Sequence, residues 1–307
     1  MPVLTRRTVL ACGLGLAAGA TAAVLDLINH GVLPGQQTLN VLDGACSVPI
    51  PAETFAPAGP SISGRFYSPA RHRTVGYTIA YPPGHARGSE LPLGLVLHAF
   101  GENHASTFGG LSLVRALAVR TGEGPSTPIA LVAADGGGGY WNRHPGDDPM
   151  AMIVDELVPM CRGLGLGRAP RSIGATGISM GGYGALLLAE QHPRLIAAVA
   201  AISPAIWTTY DEARGANAGA YASAADFARD DVVTHASALA GRPVRIASGV
   251  EDPFHPGVAA LARALPAPAV VEFPQGCHDG TFFASQAPAS LAFLARHLAH
   301  RRGAAPG

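Results

Sequence analysis

Gly177-Ile178-Ser179-Met180-Gly181 is the segment of this 307-residue chain whose residue types and spacing most directly specify chemistry. It lies between an apolar strand-like stretch (172–178) and an apolar helix-like stretch (182–190), so the chain must turn sharply at the serine. The hydroxyl of Ser179 then projects from the turn, and the two glycines let strand and helix approach closely. The Met180 amide, at the start of the helix, faces an oxyanion that develops when Ser179 attacks a carbonyl carbon. With 39 glycines in the chain, the pattern alone arises by chance; its place between strand and helix carries the reading.

A serine hydroxyl is a weak nucleophile and needs a base, itself oriented by a carboxylate. Where such a turn supplies the nucleophile, the acid and then the histidine follow it along the chain. Of the downstream histidines, His192 ends a helix before Pro193, His235 has no strand before it, and His297 and His300 ride on an amphipathic C-terminal stretch. His278 differs: it follows the strand-like run 269–273 in a loop, where a base belongs. The run 244–248 leads into Gly249-Val250-Glu251-Asp252-Pro253, which offers two carboxylates at a strand end. Pro253 favours an extended turn, which singles out Asp252 over Glu251. His255 is the weaker base, because one short loop would then supply both partners.

A second oxyanion donor is expected after the strand 93–98, where His98-Ala99-Phe100 presents the Phe100 amide. The glycine run 136–139 lets a loop fold closely beside the site, with Tyr140 and Trp141 lining it; Trp207 is the third expected substrate contact. His98 and His104 lack the carboxylate or cysteine company of a metal site, so no metal is expected. The glycine run has no G-x-G-x-x-G and no helix directly after it, which argues against a dinucleotide; no cofactor is expected.

The elements that position these residues form a regular series. Strands are expected at 62–68, 74–81, 93–98, 129–134, 172–178, 197–202, 244–248 and 269–273, and helices at 111–120, 150–161, 182–190, 258–265 and 286–300. The later strands are short and almost wholly apolar, as in a parallel sheet covered on both faces, while the first two read as an antiparallel hairpin at one edge. The alternation predicts one doubly wound α/β domain over 61–302, with 203–242 long enough for a small helical cap.

Residues 1–30 read as an export signal. Arg6-Arg7 precedes an uncharged stretch from Thr8 to Leu25, with A-x-A-like sites near Ala20. The expectation is twin-arginine export to the periplasm, envelope or medium, with membrane or envelope association through this segment. Residues 31–60, with five prolines, read as an extended arm. Beyond the signal lie Cys46, Cys161 and Cys277, enough for one disulfide with one thiol left over. Hydrophobic residues make up 48% of the chain and charged residues 14%, which excludes disorder. All 21 basic residues are arginine, balanced by 21 acidic ones. Lysine-dependent chemistry (Walker-A phosphate binding, Schiff bases, Ser–Lys hydrolysis) is therefore excluded, and no basic field invites nucleic acid.

At Gly177-Ile-Ser-Met-Gly-Gly-Tyr-Gly-Ala185, the helix after it, the element ending at Asp252 and the His278 loop, the chain resembles the esterase D family. That group includes S-formylglutathione hydrolases and mycobacterial mycolyltransferases. The resemblance covers roughly residues 70–300. It implies an α/β-hydrolase fold with a mostly parallel eight-stranded sheet, Ser179 as nucleophile, His278 as base, Asp252 as acid, and the Met180 and Phe100 amides as oxyanion hole. The middle residue of His98-Ala99-Phe100 departs from the family's usual glycine. Together with the export signal, which speaks against glutathione-thioester hydrolysis, the resemblance implies an exported serine carboxylesterase acting on lipid or xenobiotic acyl esters, its substrate a small-molecule or lipid ester. The alternatives are acyl transfer of the mycolyltransferase type and a silent envelope protein of the same fold.

Overall fold

Eight strands are hydrogen-bonded in the order β1-β2-β4-β3-β5-β6-β7-β8 in the computed structural model, which describes residues 36–51, 59–109, 128–170 and 173–300. They are β1 (Ser61–Ser68), β2 (Arg73–Ala80), β3 (Leu93–Leu97), β4 (Ala130–Ala134), β5 (Ile173–Ile178), β6 (Ile196–Ile202), β7 (Val244–Ala247) and β8 (Ala269–Glu272). The hairpin β1–β2 and the β2–β4 pair are antiparallel, and every pair from β4 to β8 is parallel. Burial explains the composition. Each residue of β3, β4 and β6 is buried, whereas edge strand β1 alternates exposed and half-buried positions.

The helices are α1 (Gln36–Leu42), α2 (Ser106–Gly109), α3 (Pro149–Ala151), α4 (Val158–Gly163), α5 (Met180–Gln191), α6 (Tyr210–Ala216), α7 (Ala224–Arg229), α8 (His255–Ala264) and α9 (Gly280–His300). All of α5 from Met180 to Ala189 is buried, so it is a core helix rather than an amphipathic one. On the other face, Leu291, Leu294 and Leu298 of α9 pack with Ala198, Ala200 and Ile202 of β6. Burying one such leucine contributes roughly 1.5–3 kcal/mol. The α/β-hydrolase architecture expected from the sequence is the one observed.

Several elements differ from expectation. α9 begins at Gly280 rather than 286, because the Asp279 carboxylate accepts the amides of Thr281 (2.9 Å) and Phe282 (3.0 Å) as an N-cap. The expected helix 150–161 is interrupted by a π-turn, Met152–Leu157. Pro159 cannot donate to the Asp155 carbonyl, and the Val158 amide reaches back to Ile153 O instead. The stretch 203–242 carries α6, α7 and a short 3-10 turn, and it joins the main core through Ala213, Ala220, Tyr221 and Leu239.

The chain divides into two units, Met1–Cys46 and Ser47–Gly307. In the first, Gln36–Leu42 is helical, not extended: no proline stands between Pro34 and Pro49, so nothing breaks a turn there. Cys46 is buried and disulfide-bonded. In the second, Cys277 is disulfide-bonded and Cys161 is a free buried thiol, pushed up to about 12 by burial. The signal segment 1–30 and the expected helix 111–120 lie outside the described residues.

Candidate active site

Because β5, β7 and β8 are parallel, the loops after their C-terminal ends share one edge of the sheet, and those loops carry Ser179, Asp252 and His278. Ser179 links β5 to α5 at φ 56°, ψ −121°, a strained conformation for a residue with a side chain. Three backbone bonds hold it there. Its amide donates to Ile202 O (3.0 Å), and its carbonyl accepts from Tyr183 (3.1 Å) and Ala205 (3.0 Å). The flanking glycines are sterically required. A Cβ on Gly177 would lie 2.2 Å from Gly181 O, and one on Gly181 would lie 1.8 Å from Leu97 O.

His278 Nε2 lies 2.8 Å from Ser179 Oγ, and His278 Nδ1 lies 2.9 Å from Asp252 Oδ2. The Asp252 carboxylate is fully buried, and its other oxygen accepts the Phe254 amide at 2.8 Å. It cannot donate, so Nδ1 carries the proton toward it and Nε2 is left to accept the serine hydroxyl proton. Phe254 and Phe283 pack against the imidazole at ring-centroid distances of 5.0 and 5.1 Å. The arrangement can deprotonate a serine hydroxyl and stabilise the imidazolium that results. Glu251, the other carboxylate, instead donates its amide to Gly276 O. His255 opens α8 with its ring edge-on to Phe273.

Met180 is the first residue of α5, and Phe100 stands in the turn after β3, closed by a 3.1 Å bond from the Glu102 amide to Ala99 O. The tight contact between Gly181 and Leu97 O brings these two segments side by side. The Phe100 ring is 60% exposed beside Gly138. His98 and His104 are occupied by the protein itself: His98 by Ala99 O and the Gly136 amide, and His104 by Thr78 Oγ1 and, through its backbone amide, Asp135.

The three expected aromatic contacts separate. Trp207 is half-buried and lies edge-on to Phe254, which in turn touches His278. Tyr140 sits behind it, buried among Tyr183, Trp207 and Tyr221, with its hydroxyl pushed up to about 12 by burial. Trp141 is not a wall of the site. It is 1% exposed, donates its indole N–H to His98 O at 3.3 Å, and fills space that only Gly136 and Gly184 leave open. Phe254 and Phe283 were missed in the sequence, although both lie within five residues of Asp252 or His278. A cavity of about 650 Å³ lined by Arg143, His144, Asp147, Asp226 and Arg229 includes none of these residues.

A family model described as "Putative esterase" matches residues 68–255. No protein of curated function matches the chain. Among solved structures, a ferulic acid esterase is 17% identical, with 79% of this chain and 100% of that one covered at a TM-score of 0.66. An S-formylglutathione hydrolase from Agrobacterium tumefaciens is 16% identical over 78% of this chain and 96% of its own, at 0.60. MPT51 (FbpC1) of Mycobacterium tuberculosis is 18% identical over 79% and 99%, at 0.58. These likenesses establish the shared α/β-hydrolase fold, and the family match covers more than half of the chain, so the protein belongs to the esterase family.

Proposed function

We propose that the protein is an exported carboxylesterase that hydrolyses acyl esters of lipids or xenobiotic acids, with Ser179 as nucleophile, His278 as base and Asp252 as orienting acid. The observation that carries this reading is the continuous pair of bonds, 2.8 Å and 2.9 Å, from Ser179 Oγ through His278 to a buried carboxylate. In the first step Ser179 Oγ bonds to the ester carbonyl carbon and its proton passes to His278 Nε2. The Met180 and Phe100 amides hold the oxyanion, each such donor contributing roughly 2.7–4 kcal/mol. Collapse of the intermediate breaks the ester C–O bond, and His278 returns the proton to the leaving alcohol. Water then attacks the acyl-enzyme, loses its proton to His278, and releases the acid as Ser179 is reprotonated.

Phe100, Trp207, Phe254 and Phe283 support an apolar or aromatic acyl group, and the likeness to a ferulic acid esterase adds aromatic acyl esters to the candidates. Export rests on Arg6-Arg7 and the apolar stretch behind it. An acceptor alcohol in place of water would make the same site an acyltransferase.

A fluorophosphonate probe, with p-nitrophenyl esters of graded acyl length, tests the reading. The expected outcome is labelling in the exported fraction of host cells, lost in Ser179→Ala together with roughly a million-fold of kcat. Faster turnover on adding an alcohol, with ester product, would assign acyl transfer. Well-folded wild-type protein that neither labels nor turns over would leave a silent member of the fold.

A further inference from the structure

His98 is 1% exposed at the end of β3, and both of its ring nitrogens are engaged by backbone. Nε2 lies 2.8 Å from the Gly136 amide nitrogen, and Nδ1 lies 2.8 Å from Ala99 O. An amide can only donate and a carbonyl oxygen can only accept, so the proton sits on Nδ1 and the lone pair on Nε2. The ring is thereby neutral and fixed in one tautomer.

What it grips is informative. Ala99 C=O and Phe100 N–H belong to one planar trans peptide unit and point in opposite directions. Pinning the Ala99 oxygen therefore sets where the Phe100 N–H aims. That oxygen is held twice, by His98 Nδ1 and by the Glu102 amide at 3.1 Å. Glu102 Oε2 in turn accepts the Ala99 amide at 3.2 Å. The far anchor is firm as well. Asp135, next to Gly136, accepts from the Gly76 amide (3.1 Å) and the His104 amide (2.9 Å), and its carbonyl accepts from the Arg71 guanidinium. Trp141 packs on the imidazole with ring centroids 4.9 Å apart.

We propose that His98 is a positioning residue that aims the Phe100 amide at the reacting carbonyl oxygen by holding the Ala99–Phe100 peptide plane against Gly136. The proposal rests on the hydrolase reading above. It carries a pH consequence. A second proton on Nε2 would set donor against donor at Gly136 and break the bridge. Burial lowers the pKa of His98, assisted by Arg71 from the β1–β2 turn and opposed by the bond to Ala99 O itself, by Asp135 from the loop after β4 and by Glu102 from its own loop. The bridge therefore stands at neutral pH and fails only in acid.

Nitrogen-15 histidine spectra of the full chain, compared with His98→Asn, test the tautomer directly. The wild type is expected to show a neutral Nδ1–H ring that is absent from the variant; if the ring that disappears is instead a neutral Nε2–H one, the proposal is overturned. Kinetics test the role. His98→Leu is expected to lose on the order of 100-fold in kcat with little change in KM, as when one oxyanion donor is removed. Asn, whose amide can still donate to Ala99 O, should recover part of that loss. The acid limb of log(kcat/KM) should steepen beyond a slope of one in the wild type where His98 takes up its proton, by no more than the roughly 100-fold that the bridge supplies, and keep a slope of one in the variants. A folded His98→Leu with wild-type kcat, or a loss in KM alone, sinks the role of His98. If the leucine variant does not fold, the tautomer and the Asn pH profile decide. Wild-type protein that neither turns over nor labels at Ser179 sinks the hydrolase reading instead.

Discussion

Two carboxylates stand side by side after β7, and the bend of that loop gives them opposite fates. Asp252 turns inward, where its oxygens meet His278 and the Phe254 amide; Glu251 stays partly exposed. A buried carboxylate is tolerable only with such partners, because desolvating it costs several kcal/mol. Asp252→Asn keeps the shape but can turn an N–H toward His278 and favour the wrong tautomer, so kcat on a p-nitrophenyl ester should fall about 10⁴-fold. Glu251→Gln should stay within a few-fold of wild type, and melting curves of both variants check that the fold survives. The reverse pattern would transfer the acid role to Glu251. That Ser179, Asp252 and His278 come together was legible in the sequence because strand-end loops and their chain order are local information. The inward turn of Asp252 rather than Glu251 agrees with the turn chemistry of Pro253. Trp141 was misread for the opposite reason: an aromatic after four glycines looks like a pocket wall, and only the three-dimensional closeness of Gly184 makes it filler.

The joint between β5 and α5 is where the fold leaves least room. Gly181 packs its Cα face on Leu97 O, and this backbone-to-backbone contact cannot be relieved by a rotamer change. Gly181→Ala should push the start of α5 away from β3, destabilising the domain by roughly 3 kcal/mol and separating the Met180 and Phe100 amides. Gly163→Ala, with nothing within 4 Å of the added carbon, should be neutral or stabilise by up to about 1 kcal/mol. Denaturant titrations give both values, and equal effects at the two sites would contradict the steric account. At this scale the strands were read to within a residue or two, because uninterrupted apolar runs mark a doubly covered sheet. The π-turn at Met152–Leu157 was not, since apolar spacing there is helical and only the register set by Pro159 departs from it. The early start of α9 was hidden in a side-chain cap, a signal that apolar periodicity does not carry.

Across the whole molecule, α5 ties the reactive turn at one end to the 203–242 stretch at the other, and Glu190 sits at that second end. Burial, with Asp230 and Asp231 adding like charge, pushes its carboxyl from 4.5 up to about 8. His235 Nδ1 lies 3.3 Å from its Oε1. The sign of the effect follows from proton binding. Between pH 4.5 and 8 the folded chain holds a proton on Glu190 that the unfolded chain has lost, so folding stability falls as pH rises through this window. Below it both states are protonated, and above it both are ionised, leaving the full penalty in place. Glu190→Gln keeps the shape and removes the charge. It should therefore match the wild type in denaturant stability near pH 4 and exceed it increasingly up to about pH 8, where the difference levels off. Because all other groups titrate in both proteins, the difference curve isolates Glu190 and its coupling to His235. The proposed chemistry runs the other way with pH, since His278 must be neutral to accept the serine proton, so raising pH favours the reaction while loosening the helix that presents it. Parallel stability curves for the two proteins from pH 4 to 9 would show that Glu190 binds its proton equally in the folded and unfolded states and remove this opposition.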